Sequence, residues 1–114
     1  MKEVMIILRP KMYFITKETL VANGFHSMTV RECIGRGKKP VPYDLDENSQ
    51  VVKHRLVAKK IIDMYIRDED VDFLIETVVE VNKTNHAGDG KIFIMPCEDA
   101  VRVRTDERGD EAIM

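Results

Sequence analysis

The sequence predicts an α+β fold of the ferredoxin-like kind: two βαβ halves in tandem, a four-stranded antiparallel sheet and both helices on one face. Three observations predict it. A strand pattern, a helix pattern and a second strand pattern occur twice in the same order, a long aperiodic segment separates the two sets, and 114 residues suit a single domain, 1–114.

"EVMIILR", Glu3 to Arg9, is a short apolar run and reads as the first strand. Pro10 suits the first turn of a helix over "KMYFITKETLVAN", which Gly24 ends by offering a left-handed residue. "SMTVRECIG" alternates and reads as the second strand, with apolar residues on both faces. From Arg36 to about Val57 two prolines and Asp, Asn and Ser interrupt any period, which predicts a loop of about twenty residues, a length that in compact domains is usually functional. The first pattern then returns. "AKKIIDMYI" is a strand, "RDEDVDFLIETVVEVN" a helix with acidic residues at its positive end and Val71, Leu74, Ile75 and Val78 at helical spacing, and "KIFIM" a strand. Nothing in the sequence supplies a third layer, so the open face of the sheet predicts an oligomer.

Charge is high but balanced, with 33% charged residues and a net charge of −2, so no field of one sign favours nucleic acid. No apolar run approaches the ~18 residues of a membrane span, and the N-terminus lacks a secretory pattern, which predicts a cytoplasmic protein with no membrane insertion. Cys33 and Cys97 stand apart from any metal-like spacing and read as small hydrophobes. His26, His54 and His86 are likewise too scattered for a metal site, and no metal-binding side chains are predicted.

Two segments invite a ligand. In "AGDGKIFIMP" glycines flank Asp89 and a lysine follows, an arrangement that lets backbone N–H groups approach an anion but also makes an ordinary turn; no Ser or Thr follows Lys91, so it is not a P-loop. In "VRVRTDERGDEAIM" strand alternation would set Arg102 and Arg104 on one face about 7 Å apart, either to grip a polyphosphate or as a solvated edge. With the glycines and lysines of "IGRGKK", three separated segments converge on a phosphate-like chemistry.

These segments together resemble the PII signal-transduction proteins. "MTV" with "GRGKK", the "RDEDVD" helix start, "GDGKIFIMP" and "RVRTDERGDEAI" match that family's pattern over almost the whole chain. "MKEVMIILRPK", "GRGKKPV", "HRLVAKK" and "VEVNKT" resemble its nitrogen-fixation branch, found in methanogenic archaea and some anaerobic bacteria. The resemblance implies a homotrimer whose clefts bind ATP or ADP, with Mg2+ accompanying ATP and 2-oxoglutarate as effector. It implies a T-loop at 36–57 that touches the partner, a B-loop at 83–91 and a C-loop at 102–109.

The nucleotide residues it implies are Ile7, Thr29, Gly35, Gly37, Lys38, Lys39, Tyr65, Gly88, Asp89, Gly90, Lys91, Arg102 and Arg104, with adenine against Ile7 and Tyr65. Lys59, with Lys39 and Gly37, would hold 2-oxoglutarate. The implied function is regulatory and not enzymatic: inhibition of nitrogenase when fixed nitrogen is plentiful, or alternatively control of an ammonium transporter or of glutamine synthetase. A sister PII chain is also an implied partner.

Departures from the family pattern are specific. Tyr43 lies in "VPYDLDE" and not in the modified "YRGAEY", which predicts no uridylylation. Lys39 replaces the glutamine that contacts both magnesium and 2-oxoglutarate, which predicts weaker effector binding. Asn85 and Asp106 stand where glycines are usual; Asn85 is expected to tolerate a left-handed backbone, and Asp106 predicts a C-loop of slightly different shape. Two other classes compete: an enzyme using Asp63, Asp89 or a lysine as acid or base, and a trimeric structural or metal-tolerance protein of the CutA type, which would not need "GDGK" with "RVRT".

Overall fold

Alternating burial along β1 (Lys2–Leu8) sets the layout: Val4, Ile6 and Leu8 are buried while Glu3, Met5 and Ile7 are half-buried on the other face. In the computed structural model the backbone is described for residues 1–44 and 51–114, and the side chains for 1–36 and 56–114. β1 is followed by a turn of 3-10 helix at Pro10–Met12 and by α1 (Tyr13–Ala22). β2 (Thr29–Asp44) and β3 (Val51–Ile66) are antiparallel partners. A second 3-10 turn, Asp68–Asp70, leads into α2 (Val71–Asn82), then β4 (Lys91–Pro96) and a short α3 (Asp110–Ile113). The sheet order is β2-β3-β1-β4, all neighbours antiparallel, which is the ferredoxin-like double βαβ arrangement.

The core lies between the helices and one face of the sheet. Val4 and Ile6 of β1 stand opposite Met64 and Ile62 of β3, and Leu20, Phe25, Leu74 and Val78 close over them. Burying one such side chain contributes about 1.5–3 kcal/mol, so this cluster orders the whole domain. One polar bridge crosses it: the Asn82 amide donates to the Thr16 hydroxyl at 3.0 Å, tying α2 to α1. Gly24 takes φ +94° and ends the first helix as expected.

The opposite face carries Met5, Ile7, Ile61, Tyr65, Phe93 and Met95, with no second layer over it among the described residues; Tyr65 is 47% and Phe93 45% exposed.

Two expectations need correction. The segment 36–57 is not an aperiodic loop: β2 and β3 continue through it as a paired ribbon as far as Asp44 and Val51, with a register shift between Arg36 and Val41. The alternation that marks a strand comes from burying one apolar face, but at the described root apolar residues fall on both faces: Val57 is buried on one, while Ile34 at 74% and Leu56 at 65% are exposed on the other. Residues 45–50, at the centre of the expected T-loop, lie outside the described ones. The tail "VRVR" is not a strand either. Val101 makes a single bridge to Arg108, and the N–H groups of Thr105 and Asp106 both turn back to the Arg102 carbonyl, with Asp106 at φ +62°.

Candidate functional site

The loop between α2 and β4 is built around one carboxylate. Asp89 accepts from the Thr84 backbone N–H at 2.7 Å, from the Asn85 N–H at 3.0 Å and from the Thr84 hydroxyl. Arg9, arriving from the end of β1, donates to the same carboxylate at 2.7 Å and to the Ala87 carbonyl at 2.8 Å. These contacts, the Thr84 hydroxyl foremost, hold the Asp89 carboxyl far below the usual carboxylate range. Its side chain therefore shapes the loop from inside, while Asn85 and His86 are exposed. Asn85 at φ +67°, Gly88 at +96° and Gly90 at +119° supply the left-handed steps, as expected for Asn85.

The loop is pressed against the sheet. A Cβ on Gly90 would lie 2.0 Å from the carbonyl oxygen of Ile7, so only glycine permits that approach. Lys59, on β3 opposite Cys33, donates to the Gly88 carbonyl at 3.1 Å. Burial lowers the Lys59 pKa, and the Arg9 charge lowers it further. Lys91 pairs with Ile7, and Gly35 pairs with Val57 beside the Lys59 stem. Ile7, Gly35, Lys59 and Gly88 to Lys91 thus form one cluster at one end of the sheet.

The remaining expected residues stand elsewhere. Ile7 lies opposite Ile61 and Tyr65 opposite Glu3, on one face but four residues apart along β3, or about 13 Å, so one adenine ring cannot touch both within a single chain. Thr29 pairs with Asp63, six residues along β2 from Gly35. Tyr65 and the C-terminal residues Ile113 and Met114 line a cavity of about 440 Å³ together with Phe25 and Phe73. Arg102 donates to the Glu107 carboxylate at 2.7 Å and to the main-chain oxygens of Glu111 and Met114 at 3.0 and 2.6 Å. Arg104 is exposed. The side chains of Lys38 and Lys39 lie outside the described ones, and Gly37 is part of the β2 backbone.

Sequence reasoning missed two residues of this site, Arg9 and Thr84. The signal for Thr84 was available, since a hydroxyl residue and an aspartate flanking a glycine-bearing turn commonly close it by side-chain to backbone bonds. Arg9 has no such local signal, because its partner is 80 residues away.

A family model described as nitrogen regulatory protein P-II matches residues 1–107. The chain belongs to the P-II family. A protein of Methanobacterium ivanovii named nitrogen fixation nifHD region GlnB-like protein 2 is 42% identical to this P-II chain over 122 residues, covering the whole of both. The protein of the same name from Methanococcus maripaludis is 37% identical across 99% of this chain and all of its own. Nitrogen regulatory protein P-II 2 of Methanothermobacter thermautotrophicus is 40% identical over 115 residues, 99% of this chain and 97% of its own. The family and these relatives give the protein a nitrogen-regulatory role.

Proposed function

We propose that this P-II protein is a non-enzymatic sensor that binds ATP or ADP, and 2-oxoglutarate with Mg-ATP, in clefts between three copies, and that it acts through the β2–β3 ribbon to inhibit nitrogenase in the cytoplasm. The observation that carries the reading is the division of the expected nucleotide residues between opposite ends of one sheet. Ile7, Gly35 and Gly88 to Lys91 lie toward one end and Tyr65, Arg102 and Arg104 toward the other, with Thr29 between them at the level of Met5. A single nucleotide reaches both groups only if they come from neighbouring subunits, and the apolar sheet face with Met5, Phe93 and Met95 supplies a surface for such an assembly.

In that cleft the Gly88 to Lys91 loop lays backbone and one lysine along the phosphates, while Arg104 approaches from the next subunit. Mg2+ arrives with ATP, where it neutralises phosphate charge. Lys59 and Arg9 are adjacent cations, and the burial and repulsion that lower the Lys59 pKa would be relieved by a dicarboxylate between them. That favours 2-oxoglutarate at Lys59. Names that place two relatives in nitrogen-fixation regions favour nitrogenase as the regulated partner.

The test is calorimetric titration with ATP, ADP and 2-oxoglutarate, with light scattering to give the oligomer. Lys91→Ala and Arg104→Ala are each expected to weaken ATP about ten- to a hundredfold. Parental ATP affinity in both variants would put the nucleotide somewhere else.

A further inference from the structure

We infer that the C-terminal turn is a latch on Arg102, which a nucleotide must displace to use that arginine; the inference rests on the nucleotide reading above. A guanidinium grips a phosphate bidentately along one of two edges, the end edge formed by Nη1 and Nη2 or the side edge formed by Nε and Nη2. Both edges need an Nη2 hydrogen. In Arg102 the two Nη2 hydrogens are taken, one by the main-chain oxygen of Glu111 at 3.0 Å and one by that of Met114 at 2.6 Å. Nη1 donates to the Glu107 carboxylate at 2.7 Å, and the same oxygen accepts from the Thr105 hydroxyl at 2.6 Å. Neither edge is open.

Among the described residues, the turn that blocks them has little else to hold it. α3 spans only Asp110–Ile113, its first two residues are exposed, and Met114 is 72% exposed. Its other anchorage is apolar: Ile113 and Met114 against the cavity lined by Phe25, Tyr65 and Phe73. A segment this short is stable only through such tertiary contacts. When phosphate oxygens claim Nη2, the turn loses the cation that satisfies its final carbonyls, and it leaves the Tyr65 cavity open. Because coupling is reciprocal, whatever the nucleotide takes from the latch, the latch takes from nucleotide affinity. Arg104 is exposed and would meet the first phosphate contact without this cost.

The experiment uses the whole protein with Mg-ATP and follows amide hydrogen exchange of residues 110–114, alongside ATP affinities of the parent, Arg102→Ala, Ile113→Ala and a chain ending at Gly109. The expected result is faster exchange in 110–114 when ATP binds, and ATP affinity raised about three- to tenfold by the shortened chain and raised less by Ile113→Ala. In Arg102→Ala those amides should exchange fast with or without ATP. If ATP binds the parent and Arg102→Ala weakens it, but the 110–114 amides are unaffected or the shortened chain binds ATP no better, the latch is overturned and the nucleotide site stands. If ATP does not bind the parent at all, the nucleotide reading falls and takes the latch with it.

Discussion

Arg9 and Asp89, 80 residues apart in sequence, form an ion pair at 2.7 Å that fastens the loop before β4 to the end of β1. Asp89→Asn keeps the shape of the side chain but removes the charge that Arg9, Thr84 and Asn85 all address, and is expected to cost about 1.5–3 kcal/mol of stability. The pH dependence has a definite sign. Because the folded-state pKa is depressed, the contribution is complete above the ordinary aspartate value of about 4 and is lost as pH falls through the lower folded-state value. Melting temperatures of parent and variant should differ by a constant amount from about pH 5 to 8 and converge in acid. A gap that is as wide at about pH 2.5 as at about pH 7, with no narrowing below the ordinary aspartate value, would contradict this account.

Gly90→Ala and Gly24→Ala place the same methyl group on two glycines of positive φ with different surroundings. At Gly24 nothing lies within 4 Å, and the cost is that of the left-handed backbone, about 1 kcal/mol. At Gly90 the new Cβ would meet the Ile7 carbonyl oxygen at 2.0 Å, so β4 must part from β1 at its start. The expected loss there is more than about 3 kcal/mol, measured by chemical denaturation. Equal losses would show that the loop relaxes away from the sheet without difficulty.

Lys59→Ala is expected to abolish 2-oxoglutarate binding and to weaken ADP only slightly. The slight effect arises because Lys59 also steadies the Gly88 carbonyl at 3.1 Å. Parallel titrations with the two ligands decide it: an equal drop in both affinities means that Lys59 serves the loop alone.

Deleting Pro42 to Ser49 removes the end of the ribbon and leaves Gly35 and Lys59 in place. Trimer formation and ATP binding should survive, while nitrogenase inhibition is lost. A shortened protein that still inhibits in a 2-oxoglutarate-sensitive way would mean that the partner is held by some other surface.

The sequence was most informative where burial imposes a period. Val71, Leu74, Ile75 and Val78 announce α2 because that stripe packs on the sheet, and the left-handed turn at Asn85 was legible because few other residues tolerate it. The ribbon was not legible. Its pairing is made by backbone hydrogen bonds that any residue can offer, and the register shift between Arg36 and Val41 interrupts any period along it. The tail misled for the opposite reason, since Val101 to Arg104 copies the alternation of a strand while Asp106 reverses the chain two residues later. Asp89 illustrates a third limit. A carboxylate between glycines reads as a ligand contact, and only the folded loop shows it turned inward onto Thr84 and Arg9.

The paired ribbon also has a mechanical consequence. Beyond Arg36 the pairing breaks at the register shift and resumes from Val41 to Asp44, so the ribbon reaches as far as β3 does from Leu56 to Val51, five residues or about 17 Å at 3.3 Å each. A rotation of about 10° at its root would carry its far end through roughly 3 Å over that length. The root is the pairing of Gly35 with Val57, two residues from Lys59. A tilt at that root is thus magnified to a few ångströms at the far end, enough to match or miss a partner's surface.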